Sequence, residues 1–221
     1  MPSDAVTSAD AAGPRGAAKT VVVATGNRGK LTEIRAALDV PGWAFQAAAD
    51  LGVWPDVEET GETFLDNALI KARAALEIFG LTALADDSGL EVDALDGAPG
   101  VRSSRYAGEA ATDADNNARL LAALAGVPGG ARSARFRCVV AFVATDGSIT
   151  VGEGSCEGRI GTVPEGNGGF GYDPLFLPDA TPGRTMAQLN LAEKNSISHR
   201  GAALRALRAI LADVSGRGAA W

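Results

Sequence analysis

Thr20-Val21-Val22-Val23-Ala24-Thr25-Gly26-Asn27-Arg28-Gly29-Lys30 decides the class of this chain. The β-branched run over residues 20–24 reads as a short buried strand. A break follows at Thr25–Gly29, and beyond it Leu31, Ile34 and Leu38 fall at helical spacing, with Glu33 and Arg35 on the other face. Strand, tight loop and helix open an α/β fold. The loop also gathers the elements that hold an anion: amides at a helix start, the helix dipole and the Lys30 ammonium. A Walker A loop is excluded, because Ala24 stands at the leading glycine position and Leu31, neither Ser nor Thr, follows the lysine. A phosphate cradle of another design remains, beside the plain alternative of a glycine turn with a solvated lysine.

Farther along, Phe64, Ala68, Ala72 and Leu76 repeat the helical period from Thr63 to Phe79, with Thr63 and Asp66 as a capping-box start. Leu81–Ala85 is a short apolar run, and Asp113–Leu124 reads as a helix stopped by Gly126 and Pro128. Phe136–Thr145 and Ser148–Gly154 flank Asp146-Gly147, a hairpin signal. The last helix begins near Ser198 and runs through Leu204, Leu207 and Leu211. Hairpin and strand–helix units together predict a mixed sheet with flanking helices. Residues 1–18 are rich in Ala, Gly, Ser, Asp and Pro and read as a disordered extension without the pattern of a secretory signal. Residues 19–214 form one domain and 215–221 a tail.

Composition narrows the function. A net charge of −7 argues against a nucleic-acid binder, which would carry a basic face, but leaves room for a small anionic substrate in a local cationic cleft. No apolar run approaches the length of a membrane span. Cys138 and Cys156 form no CxxC pair and make a poor disulfide framework, so a reduced, cytoplasmic compartment is expected.

Three further segments carry chemistry. Gly166-Asn167-Gly168-Gly169-Phe170-Gly171-Tyr172-Asp173-Pro174 sets a stacking face and a carboxylate in a glycine-rich loop that lets backbone approach a ligand. Asp86-Asp87-Ser88-Gly89 follows the apolar run, and two adjacent carboxylates at the end of a buried strand need a cation or proton between them. With Glu58-Glu59-Thr60-Gly61-Glu62 they form an oxygen-only set that suits Mg2+ or Mn2+ over zinc. One Glu and one Asp suffice for an ion that fills its shell with water and phosphate oxygens. Finally, Ser198 as N-cap places His199, the one histidine, and Arg200 in a first helical turn, where cations belong only if an anion or a polar base edge joins them.

Taken in order, these segments resemble the inosine triphosphate pyrophosphatase family, with its bacterial HAM1-like dITP/XTP pyrophosphatases, from about Val21 to Leu211. Besides those already quoted, Phe64-Leu65-Asp66-Asn67-Ala68, Gly97-Ala98-Pro99-Gly100, Ser104-Arg105-Tyr106 and Ser196-Ile197-Ser198-His199-Arg200-Gly201 carry the likeness. The resemblance implies an elongated two-lobed fold with a cleft between lobes, a homodimer, and Mg2+-dependent hydrolysis of ITP, dITP and XTP to monophosphate and pyrophosphate. By position, Thr25, Gly26, Asn27, Arg28, Gly29 and Lys30 would hold the phosphates. Glu58 and Asp87 would bind the metal, with Asp87 also the general base and Asp86 beside it, the direct ligand of the two aspartates left open. Ser88, Phe170, Gly171, Tyr172, Asp173, Lys194, His199 and Arg200 would hold the nucleotide and its base. A pyrimidine-directed relative of the Maf type and a nucleotide-sensing module without catalysis are the competing readings.

Overall fold

The computed structural model describes residues 18–38, 40 and 43–216. The expected extension falls outside these residues except for Ala18, as does the tail except for Ser215 and Gly216, which belong to the last helix. Six strands form one sheet in the order β2 (Trp43–Ala47), β1 (Lys19–Val23), β3 (Ala83–Val92), β4 (Ser133–Val143), β5 (Ile149–Ile160), β6 (Phe176–Pro178). β1 pairs parallel with β2 and β3, and every later pairing is antiparallel. The sheet is therefore mixed, as the alternation of units predicted.

Three long strands, β3 to β5, run through two separate cores. At the parallel end α1 (Arg28–Ala37) and α6 (His199–Gly216) cover one face through Ile34, Leu204 and Leu207 against Leu84, Val140 and Phe142. The other face carries α3 (Phe64–Phe79), whose Ala68, Ala72 and Ala75 lie on Ala83, Ala85 and Ala141. At the far end α4 (Asp113–Ala123), β6 and the segment before α5 (Leu191–Ile197) enclose Leu90, Val92, Leu120, Phe136 and Phe176. Two cores joined by continuous strands are the two lobes. A four-residue helix, α2 (Ala48–Leu51), follows β2.

The structure corrects one sequence expectation at the centre of the sheet. Asp86-Asp87 do not end a strand; β3 continues through them to Val92, paired with β4 along its whole length. The apolar run stops at Ala85 because the next four residues lie between the two cores, where polar side chains find partners instead of hydrocarbon. β1 ends at Val23 while β3 runs on, so one edge of β3 opens onto the loop after β1. That is the place where open α/β sheets bind ligands.

α6 rests on β5 without intervening side chains. A Cβ at Gly154 would lie 2.3 Å from the carbonyl oxygen of His199 and 2.5 Å from the Ala203 nitrogen. Gly154→Ala is therefore expected to push the start of α6 from the sheet and to lower stability by about 1–3 kcal/mol. Urea denaturation of the two proteins measures this difference.

Candidate active site

A cavity of about 300 Å3 lies between the lobes, within the range of small-molecule sites. Three groups of side chains meet in it.

The first is the loop after β1. Thr25, Gly26, Asn27 and Lys30 line the cavity. Asn27 caps α1 by accepting the Lys30 N–H at 3.1 Å, and the Thr25 hydroxyl oxygen accepts from Asn27 N–H at 3.1 Å. A helix start leaves its first N–H groups without intrahelical partners, and one cap satisfies only one of them. The rest can meet an anion. Arg28 is exposed and outside the lining, contrary to its expected phosphate role. Gly29 is used for close approach, because a Cβ there would fall 2.7 Å from the Phe170 ring.

The second group surrounds the acidic pair. Successive residues of a strand face opposite sides, so Asp86 points towards α1 and α6, and Asp87 towards α3. Asp86 lies 3.2 Å from Lys30 Nζ and accepts from Arg200 Nε at 3.1 Å and a terminal guanidinium nitrogen at 2.9 Å. Burial opposes its charge, but Lys30 and Arg200 outweigh it and hold the carboxyl well below the usual carboxylate range. Its Oδ1 is buried with no hydrogen-bond partner among the described residues. Asp87 faces the cavity, where Asn67 donates to it at 3.2 Å and Lys71 at 3.3 Å. There burial exceeds the pull of Lys71 and Lys30, and the Asp87 pKa is raised. Lys71 also donates to Glu59 at 2.7 Å, and Arg105 sits 3.6 Å from the same carboxylate. Burial works against the ammonium, yet Asp87, Asp86 and Glu59 together keep it charged with a raised pKa.

The loop carrying the first acidic group places its residues differently from expectation. Glu59 lines the cavity, pinned by Lys71 and Arg105; Glu58 is exposed and outside the lining. Neighbours in an extended loop point apart, and two cations select Glu59. Among the described residues no three His, Cys, Asp or Glu are grouped to hold a metal unaided. Asp87 and Glu59, bridged by one ammonium, are instead an oxygen donor pair suited to an ion that takes one or two carboxylates and completes its shell with phosphates.

The third group closes the other end. Phe170, Gly171, Tyr172, Asp173, Lys194 and His199 all line the cavity. Lys194 Nζ donates to Asp173 at 2.5 Å, lies 2.8 Å from Glu33, and sits 4.5 Å from the centre of the Phe170 ring. Asp173 is desolvated more strongly than Lys194 attracts it, so its pKa is raised. Tyr172 is an anchor, its hydroxyl donating to the Ser103 carbonyl at 2.8 Å. Ser198 caps α6 as expected, its Oγ accepting the Gly201 N–H at 3.0 Å. His199 stacks on Phe136 at 4.7 Å and 16°, with Nδ1 buried and unpartnered among the described residues. Ser88 and Arg200 differ in role. Ser88 lines the cavity and accepts from Arg200, but Arg200 itself is buried outside the lining, committed to Asp86, Ser88 and Glu33. Its guanidinium ties α6 to β3 and α1, leaving Lys194 and His199 as the donors that face the cavity.

Sequence reasoning missed Lys71, Asn67 and Glu33. For two of them the signal was present, since Asn67 and Lys71 share the buried alanine face of α3; Glu33, which the helical spacing set with Arg35 on the outer face, is instead buried beside Ile34. A charged residue on an apolar face requires a partner.

Burial, with Arg200 and Lys194 adding to it, drives the His199 pKa well below 6.5. A histidine with a lowered native pKa binds fewer protons than the unfolded chain just below 6.5, so its contribution to stability falls as pH drops through that window. We expect His199→Gln to flatten the pH dependence of unfolding between about pH 6.5 and 5 relative to the parent. The sole imidazole resonance should show no titration near neutrality by NMR.

Comparison with known proteins adds a consistent set of likenesses. The Ham1 family model matches residues 21–210. A dITP/XTP pyrophosphatase of Desulforamulus reducens is 52% identical over 192 residues, covering 86% of this chain and 94% of its own. One of Methylococcus capsulatus is 50% identical, covering 90% and 98%. Among solved structures, a HAM1 protein from Coxiella burnetii superposes with a TM-score of 0.79 at 45% identity, covering 88% of this chain and 99% of its own.

Proposed function

The chain belongs to the Ham1 family, and from that premise we propose that it hydrolyses ITP, dITP and XTP to the monophosphate and pyrophosphate, removing deaminated purines from the nucleotide pool before they enter DNA or RNA. The observation that carries this reading is the convergence in one cavity of an anion-binding helix start, a desolvated aspartate between cations, and an aromatic ring beside buried donors. That order along the cavity matches phosphate, scissile bond and base.

The triphosphate would lie against the Thr25–Lys30 turn, with the purine on Phe170. Asp87, its pKa raised by burial, accepts the proton of the water that attacks the α-phosphorus. Lys30 and the amides of α1 stabilise charge on the departing pyrophosphate. Mg2+, or Mn2+ in its place, would be held by Asp87 and Glu59 and would neutralise phosphate charge and acidify water when bound. Lys71 keeps those two carboxylates close despite their repulsion. Selection of the base falls to Lys194 and His199. The Lys194 ammonium can only donate; it donates to a carbonyl oxygen at C6 and faces an amino group there as an unsatisfied donor. Each such mismatch disfavours adenine by about 1–3 kcal/mol. A homodimer and a cytoplasmic location extend the same family likeness. The two cysteines are free, and no described helix is long and apolar enough to cross a membrane.

A product-resolved assay over ITP, XTP, the standard nucleotides and UTP tests the proposal. Preferential release of pyrophosphate from ITP and XTP is expected, and inertness towards both in ample Mg2+ would overturn it. Asp87→Asn should lower kcat by about 10^2–10^4-fold while IMP binding, followed by calorimetry, persists. Glu59→Gln should raise the Mg2+ concentration for half-maximal rate more than Glu58→Gln does; the reverse order would return the ligand role to Glu58.

A further inference from the structure

We propose that Asp113 and Asn117, at the start of α4, form a latch on the Gly171 peptide that positions Phe170 over the purine. The inference rests on the reading of the site given above. Both polar groups of the Gly171 residue are held from α4: its N–H donates to Asp113 Oδ2 at 2.6 Å, and its carbonyl accepts from Asn117 Nδ2 at 2.9 Å. Gly171 has φ +60°, the left-handed region that glycine enters freely. It has no side chain of its own to fix the turn, so these outside partners hold its peptide groups, while within the loop Asp173 accepts the Phe170 N–H at 3.0 Å and donates its own N–H to the Phe170 carbonyl at 3.3 Å.

Asp113 is free for this purpose. The N-terminus of α4 is closed by a separate capping box of Thr112 and Asp115, and Asn117 is steadied by donating also to the Asp113 carbonyl at 2.8 Å. The anchor is firm, because α4 is sunk in the far core through Leu120. Opposite, Phe170 reaches the backbone of Gly29 in the near lobe. The ring held by α4 thus closes the cavity across both lobes on the base side.

The test compares Asp113→Ala with Asp113→Asn. Both remove a negative charge from the helix start, but the amide retains an oxygen acceptor. Loss of one charged acceptor should raise KM for ITP and the inhibition constant of IMP about tenfold in Asp113→Ala. kcat and the inhibition constant of inorganic pyrophosphate should stay within about twofold, and Asp113→Asn should recover most of the difference. Hydrogen exchange of the Gly171 amide in the unliganded protein should accelerate in Asp113→Ala. Unchanged exchange with unchanged KM would overturn the latch, as would IMP and pyrophosphate weakening together. If the parent protein fails to cleave ITP, the functional reading falls, while the exchange measurement still judges the latch.

Discussion

Two neighbouring carboxylates in the middle of a buried strand are the constraint around which this molecule is arranged. Because a strand alternates its faces, Asp86 and Asp87 cannot share a partner at close range, and each recruits its own cations. Lys30 and Arg200 come to Asp86 from the first turns of α1 and α6, and Lys71 reaches Asp87 from α3. Three helices are thereby oriented by one dipeptide. The two aspartates end in opposite states: one locked as an anion, the other desolvated with its pKa raised. Removing one member of such a buried pair typically costs about 3–5 kcal/mol, since the charge left behind has no water to turn to.

From Asp86 the ion pairs continue without a gap. Arg200 passes to Glu33, Glu33 to Lys194, and Lys194 to Asp173. Signs alternate along the entire line, which connects the Phe170–Asp173 loop with Lys30 through groups that are almost fully buried. None of these side chains can move alone without exposing a neighbour's charge. The same rigidity holds the Lys194 ammonium in place between Glu33 and Asp173.

Much of this was legible in the sequence, and the exceptions have physical causes. The opening strand and helix, the capping box at Thr63, the hairpin about Asp146-Gly147 and the Ser198 cap are local events governed by neighbouring residues, and all appear where expected. β3 was cut short because hydrophobicity marks burial in hydrocarbon, and Asp86–Gly89 are buried among charges instead. Arg200 was given to the ligand because a cation in a first helical turn needs an anion; the anions proved to be Asp86 and Glu33, supplied by elements far away in sequence. The resemblance pointed to Glu58, whereas Lys71 and Arg105 hold Glu59 at the cavity. Pairings of this long range leave no periodicity to read.

The cavity wall bears on how a ligand arrives. Three ammonium groups, Lys30, Lys71 and Lys194, face it, against the carboxylates of Asp56, Glu59, Asp87, Asp113 and Asp173, with His199 uncharged. The chamber thus carries an excess of negative charge before any nucleotide is present. A polyanion entering bare would meet these carboxylates as well as the ammonium groups. For the nucleotide proposed above, such a chamber would favour entry together with a counter-ion, so that uptake and ion occupancy would form a single coupled equilibrium rather than two successive ones.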